Sequence, residues 1–281
     1  MSDTPRAIAF ARRDAIRGAV WLKDAYAMLS VNRVPWLLLL LLYYLVLGIV
    51  DLIPYVGQIA VPLLKPVFAV GFLAAAWTQE RGGAPELKLL FQGFRSNVRA
   101  LLPLGAFLLV GITVAVLGTA VVDGGTLVDV LSGRTKLDET VLASGDVQLA
   151  MLFAAACALP VLLAIWFAPA LVVFQDCGPA RALATSLRAA LANWKPISVY
   201  GLLVFCFGGV VPTLATLLIS SLMPEGLALP LVLLVLMPYL FLLIATLHIS
   251  DYVSYRDIFH VDQAPNSPDG ADGSPPSQTG P

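Results

Sequence analysis

Charge is scarce in this chain and unevenly placed. Lys, Arg, Asp and Glu make up 12% of its 281 residues, about half the roughly 25% usual for soluble domains. Five stretches, 34–50, 100–122, 147–175, 196–224 and 226–250, hold no charged residue at all. Cysteine is scarce too. Cys157 and Cys206 lie inside apolar runs, Cys177 lies at an expected cytoplasmic edge, and no CxxC occurs. An odd count in those places argues against a disulfide framework. The two histidines, His248 and His260, give no metal-ligand spacing. HExxH, P-loop and GxSxG patterns are missing, and with them the corresponding enzyme classes. No catalytic, cofactor-binding or metal-binding residue is assigned, no cofactor is expected, and no nucleic-acid partner is expected.

What the chain has instead is apolar length. It is 59% hydrophobic with a mean hydropathy of +0.86. About 20 apolar residues match a hydrocarbon core roughly 30 Å thick at 1.5 Å rise per residue. The five uncharged runs therefore predict crossings, and a sixth run near 58–78 is interrupted only by Lys65. The expected fold is an all-α polytopic membrane bundle. Its crossings are placed at about 34–53, 58–78, 100–122, 147–174, 196–222 and 227–250 within a domain spanning 34–260. Residues 1–33 are read as a cytoplasmic segment with an amphipathic helix. Residues 261–281, rich in Pro, Gly and Ser, are read as a disordered tail. The first 15–30 residues lack a signal-peptide pattern, so the first crossing is expected to act as an uncleaved insertion signal.

The basic residues are segregated. Arg6, Arg12, Arg13, Arg17, Lys23 and Arg33 precede the first crossing. Arg81, Lys88, Arg95 and Arg99 lie between the second and third, and Arg181, Arg188 and Lys195 between the fourth and fifth; Arg256 follows the sixth. The alternate loops hold only Arg134 and Lys136. Lys and Arg bias short loops toward the cytoplasm, which predicts both termini inside and the acidic loop 123–146 outside. The second crossing is the weak one. Pro62 and Pro66 flank Lys65, and proline removes a backbone donor, so a broken or re-entrant segment is expected there.

A short amphipathic segment precedes each odd crossing. In 86–98, Leu87, Leu90, Phe91, Phe94 and Val98 fall on one helical face. In 179–194 the face is Leu183, Leu187, Ala190, Leu191 and Trp194, and near the N-terminus it is Trp21, Leu22, Ala25, Tyr26 and Leu29. These read as helices lying in the membrane interface. The whole then reads as three repeats of interfacial helix plus transmembrane hairpin. Small residues mark helix contacts: Ala150, Ala154 and Ala158, the Gly111/Gly118 pair, and the Gly201/Gly208 pair. The spacing leaves open whether those contacts are within one chain or between two.

Several segments carry a family resemblance: Pro66-Val-Phe-Ala-Val-Gly, Leu90-Phe-Gln-Gly-Phe-Arg95, Ala168-Pro-Ala-Leu-Val-Val-Phe174, 186–196 and Tyr252-Val-Ser-Tyr-Arg-Asp-Ile-Phe259. Over about residues 15–260 the chain resembles a group of proteobacterial multi-pass inner-membrane proteins of unknown function. Its layout is also similar to the membrane domains of some glycerophosphodiester phosphodiesterases. No soluble catalytic domain accompanies it here, so that activity is not implied.

Intramembrane charge is costly and points to function by default. Lys65 is the main case. It is expected either to pair with Asp51 at the external rim or to contact an anionic solute or headgroup. His248 and Asp251, three residues apart, can meet on one helical face, and His248 is expected as a histidine hydrogen-bonded at the interface in preference to a proton relay. Tyr252 and Tyr255 are expected where the last helix leaves lipid, with Arg256 and Asp257 paired to the interfacial helices. Lys88, Arg95, Arg181 and Arg188 are candidate contacts for anionic lipid on the cytoplasmic leaflet. The functional expectation is a non-enzymatic inner-membrane protein in membrane organisation, lipid interaction or membrane-protein assembly. Its partners are then lipids, a second copy or other membrane proteins. The competing expectation is a small-solute or lipid transporter that uses Lys65 and the kinked second helix.

Overall fold

Apolar runs with no charge to solvate have one way to satisfy their backbone in lipid, and that is helix. A computed structural model describes residues 8–95, 97–136 and 138–260, and no strand occurs among them. The elements in order are α1 (Arg17–Val31), α2 (Arg33–Asp51), α3 (Val56–Glu80), α4 (Val98–Gly118) and α5 (Gly145–Trp166). They continue with α6 (Ala168–Phe174), α7 (Pro179–Ala192), α8 (Trp194–Phe205), α9 (Val211–Leu222) and α10 (Glu225–Phe259). Six stretches are long and apolar enough to span a membrane: Arg33–Asp51, Val56–Glu80, Val98–Asp123, Gly145–Phe174, Trp194–Leu222 and Gly226–Phe259. The expected tail 261–281 lies outside the described residues.

The second crossing corrects one expectation. It is a single unbroken helix of 25 residues with Pro62 and Pro66 inside it. Proline's missing N–H is tolerated in membrane helices where neighbours and local adjustments compensate. Here α4 supports the helix at contact distance: a Cβ on Gly105 would collide with the Leu63 backbone. Half of α3's apolar window is buried, whereas none of the fifth crossing's window is. So α3 is the central post, and the fifth crossing presents its apolar surface to lipid.

The core lies toward the side of the chain ends. Its fully buried large side chains include Trp21, Trp36, Phe68, Phe72, Phe167 and Tyr255. The last helix runs nine residues past its expected end at 250, to Phe259. Tyr252 and Tyr255 are therefore buried, not at a lipid exit. Their hydroxyls meet Glu80 and Gln175. The polar sequence 250–259 looks like an exit from lipid, but α1 and α6 cover it with protein.

The three segments expected as equivalent interfacial helices differ from one another. The first is α1, whose Trp21, Ala25 and Leu29 are buried; it packs on α8 and α10. The third is α7, with Ala182, Ser186 and Ala189 turned inward. The middle one is a 3₁₀ turn, Leu87–Phe91, followed by a single α turn, Gln92–Arg95. Close approach to α3 shapes it. A Cβ on Gly93 would strike the Val67 carbonyl, and one on Gly71 would strike Leu90 backbone.

Polar ties fasten this side. Arg17 Nη2 lies 2.9 Å from Asp257 Oδ1, and Arg13 Nε 3.3 Å from it. Asn193 Oδ1 accepts from the Arg13 amide at 2.7 Å, while its amide nitrogen donates to Ala11 O at 2.9 Å. The Ala11 amide donates to Ile258 O at 2.8 Å. Asp257 thus pairs with α1 as expected, whereas Arg256 turns to Glu80 at the end of α3. The small-residue faces divide. Gly111 and Gly118 pack on Val161 and Phe153 of α5 within the same chain, but Gly201 has nothing within 4 Å.

Candidate functional site

Helical spacing places one face of α2, with Tyr44, Leu47, Gly48 and Asp51, opposite one face of α3, with Val61, Lys65, Ala69 and Phe72. Between them, and bounded by α5, α6, α8 and α10, lies a cavity of about 930 Å³. From Val61 to Phe72 it follows α3 for about 16 Å at 1.5 Å per residue.

The end nearer the chain termini is built from aromatic and titratable side chains. The His248 ring stacks on Phe72, with centroids 4.0 Å apart and planes 6° from parallel. Tyr43 sets its edge against both rings, at 5.3 Å from Phe72 and 5.7 Å from His248. Asp251 lies one helical turn further along α10. The Trp166 indole faces its carboxylate, but Trp166 Nε1 closes no hydrogen bond of ordinary geometry. Tyr200 and Ser250 share a 2.7 Å hydroxyl contact beside them.

A serine shapes this floor. Where α5 gives way to α6, the Phe167 amide donates to Ser186 Oγ at 3.0 Å, and that hydroxyl donates to Leu163 O at 2.8 Å. The hydroxyl stands in the place of the helical bond from residue 167 to residue 163. A side chain inserted into the ladder breaks the helix axis, and Pro169 follows immediately. Trp166 and Pro169, on either side of the break, both line the cavity.

Lys65 lies seven residues from Phe72 along α3, about 10 Å toward the other end. Asp51 lies eight residues from Tyr43 along α2, about 12 Å the same way. The two are nearly level and line the same cavity. No Lys65–Asp51 pair within 4.0 Å forms among the described residues, so the direct ion pair expected from the sequence is not made. Lys65 is exposed within the open cavity. His248 and Asp251 share the floor but form no mutual hydrogen bond among the described residues, and His248 is engaged by aromatic rings instead of an interface.

The four other candidate bases stand apart from this cavity. Lys88 Nζ pairs with Glu86 at 2.6 Å. Arg95 and Arg188 are exposed, and Arg181 is half-buried near Cys177. Burial pushes the Cys177 thiol up, and the Arg181 charge opposes that shift. Sequence reasoning missed Tyr43, Trp166 and Tyr200 as cavity residues. The one available signal was the Tyr44–Leu47–Gly48–Asp51 spacing, a face that places a carboxylate in line with an aromatic hydroxyl.

A probable inner membrane protein of Burkholderia thailandensis is 33% identical to this chain over 264 residues, covering 91% of this chain and 96% of the relative. The chain belongs to the family of that protein. It is a multi-pass inner membrane protein. No family model matches it, and no solved structure matches it.

Proposed function

We propose that this inner membrane protein is a non-enzymatic binding protein for a lipid or lipid-like amphiphile with an anionic head. One observation carries the reading. A lysine without a carboxylate partner among the described residues faces a cavity of about 930 Å³, within the range of roughly 300–1,000 Å³ typical of ligand sites. The adjoining walls, Leu47, Val61, Ala69, Leu108, Leu162 and Ile165, are apolar. An unpaired ammonium within a membrane crossing favours an anion, and apolar walls favour a chain attached to it. A binding role is preferred to catalysis because the chemistry-bearing groups stand apart. Lys65 lies about 10 Å in helical rise from the His248 level.

The same reading holds both termini in the cytoplasm, from the segregation of the basic residues. It also holds that Lys88, Arg95, Arg181 and Arg188 attract anionic lipid on that leaflet, each contributing about 1 kcal/mol. Membrane organisation and assembly with other membrane proteins are compatible consequences of lipid binding. A second reading, passage of a small solute, draws support from His248 and Asp251, which give the cavity a polar inner end as well.

The test is the lipid complement retained by the purified protein, measured by native mass spectrometry. Wild type should hold a tightly bound anionic lipid that Lys65→Met loses. Equal retention by both proteins would overturn the reading. A bound water-soluble anion in place of lipid would move the assignment to solute passage.

A further inference from the structure

A second hollow lies between α1, α8 and the middle of α10, with a volume of about 530 Å³, and shares no lining residue with the first. Its walls are apolar: Ala19 and Leu22 of α1, Leu203 and Phe207 of the fifth crossing, Leu242 and Leu243 of α10. Of the three hydroxyls that reach it, those of Tyr239 and Thr246 are spent on backbone. Tyr239 Oη donates to Phe207 O at 2.6 Å, and Thr246 Oγ1 donates to Leu242 O at 2.8 Å.

The first of those bonds has a structural cause. Residues Cys206–Val210 form a π turn between α8 and α9. Such a turn widens the helix and disturbs its hydrogen-bond ladder, and π turns recur at functional sites. Tyr239 caps the Phe207 carbonyl there, so that acceptor is already satisfied and the groove wall beside it offers an occupant mostly carbon. A polar solute gains nothing from such a wall. An alkyl chain gains burial.

The rim differs from the walls. Lys23 and Tyr26, both exposed, stand on α1 at the edge of the groove. Lys23 makes no ion pair among the described residues. From Tyr239 to Thr246 the groove follows α10 for about 10 Å, with its rim on the side of the chain ends. An aromatic hydroxyl and an ammonium above an apolar slot match a lipid headgroup above its chain: tyrosine suits the headgroup level, and lysine attracts anionic heads.

We propose that this groove is a second lipid site, in which one acyl chain of an anionic phospholipid from the leaflet at the chain ends lies along α10 beside the π turn, its phosphate at Lys23. The site does not depend on the Lys65 cavity.

The experiment uses the full chain in phosphatidylcholine nanodiscs containing a phosphatidylglycerol with a photoactivatable group near the end of one acyl chain. Adducts are mapped by peptide mass spectrometry. They should concentrate on 203–207 and 239–246. Lys23→Gln, at an exposed position, should lower that labelling about fivefold, the worth of one lysine at an anionic surface. Leu243→Trp, which fills the groove, should remove it while thermal unfolding shows the bundle intact. Lys65→Met should leave it unchanged, so failure here and failure of the cavity reading are separable. Adducts spread evenly over the lipid-facing helices, or undiminished labelling in Lys23→Gln, would overturn the site. So would equal labelling by a phosphatidylcholine probe of the same design.

Discussion

Trp21 and Asp257, 236 positions apart in sequence, meet through a 2.8 Å hydrogen bond from the indole nitrogen to the carboxylate. The same carboxylate takes Arg17 and Arg13. One acidic side chain on the last helix therefore anchors the first helix and the segment before it.

Asp257→Ala should strip Trp21 and Arg17 of their acceptor and Arg13 of its counter-charge, while Arg13 keeps its hydrogen bonds to the carbonyl of residue 257. Unsatisfied groups of that kind cost about 1–3 kcal/mol. Thermal unfolding in detergent should show the loss. Limited proteolysis should find new cleavage before residue 17, because that segment loses its anchor. Wild-type protection in the variant would show that Asn193, the Ala11–Ile258 backbone bond and the Arg13 bonds to the carbonyl of residue 257 hold the segment without the carboxylate.

Lys65→Met and Asp51→Asn should act independently on stability. The two residues form no ion pair within 4.0 Å, so the direct pairing contribution is absent, and sites with no contact and no shared partner usually add within about 0.3–0.5 kcal/mol. A double-mutant cycle read by thermal unfolding checks this. A coupling well above that range would show that the two charges pair in the membrane.

Ser186→Ala should reach the cavity floor from a distance. Without the hydroxyl, the Phe167 amide and the Leu163 carbonyl lose their relay. The protein should then be destabilised by about 1–3 kcal/mol, or α5 and α6 should straighten into one helix and shift Trp166. Unfolding temperature and tryptophan emission report the two outcomes. No change in either would mean that the relay has no influence on the floor.

The orientation predicts a labelling asymmetry. In a background lacking the native cysteines, Ser132→Cys in the loop between α4 and α5 should react with a membrane-impermeant maleimide in intact cells. Ala84→Cys, in the turn after α3, should react only after lysis. The reverse pattern would place the chain ends outside.

Much of the fold could be read from the sequence because uncharged length alone dictates a crossing. Lys65 stood out for the same reason, as a charge where lipid tolerates few. The rest depends on what surrounds a residue. Pro62 and Pro66 read as a break, but close support from α4 keeps α3 continuous. The tyrosines of 252–255 read as an interface belt, because composition cannot distinguish burial by protein from exposure at a headgroup. Trp166, Tyr43 and Tyr200 read as ordinary apolar mass. Only tertiary packing turns them toward one hollow. The π turn at 206–210 is marked only by the Gly208-Gly209 pair, which does not by itself specify a π turn.

The order of synthesis gives the Asp257 anchor a further meaning. The ribosome makes α1 first, yet α8 and α10, the helices that bury it, come near the end. Trp21 must wait beside the membrane while five hairpin arms and one more insert. Only a chain translated through residue 257 can cover it. A protein stalled or truncated before that point carries an uncovered tryptophan and two arginines without their carboxylate at its N-terminal end.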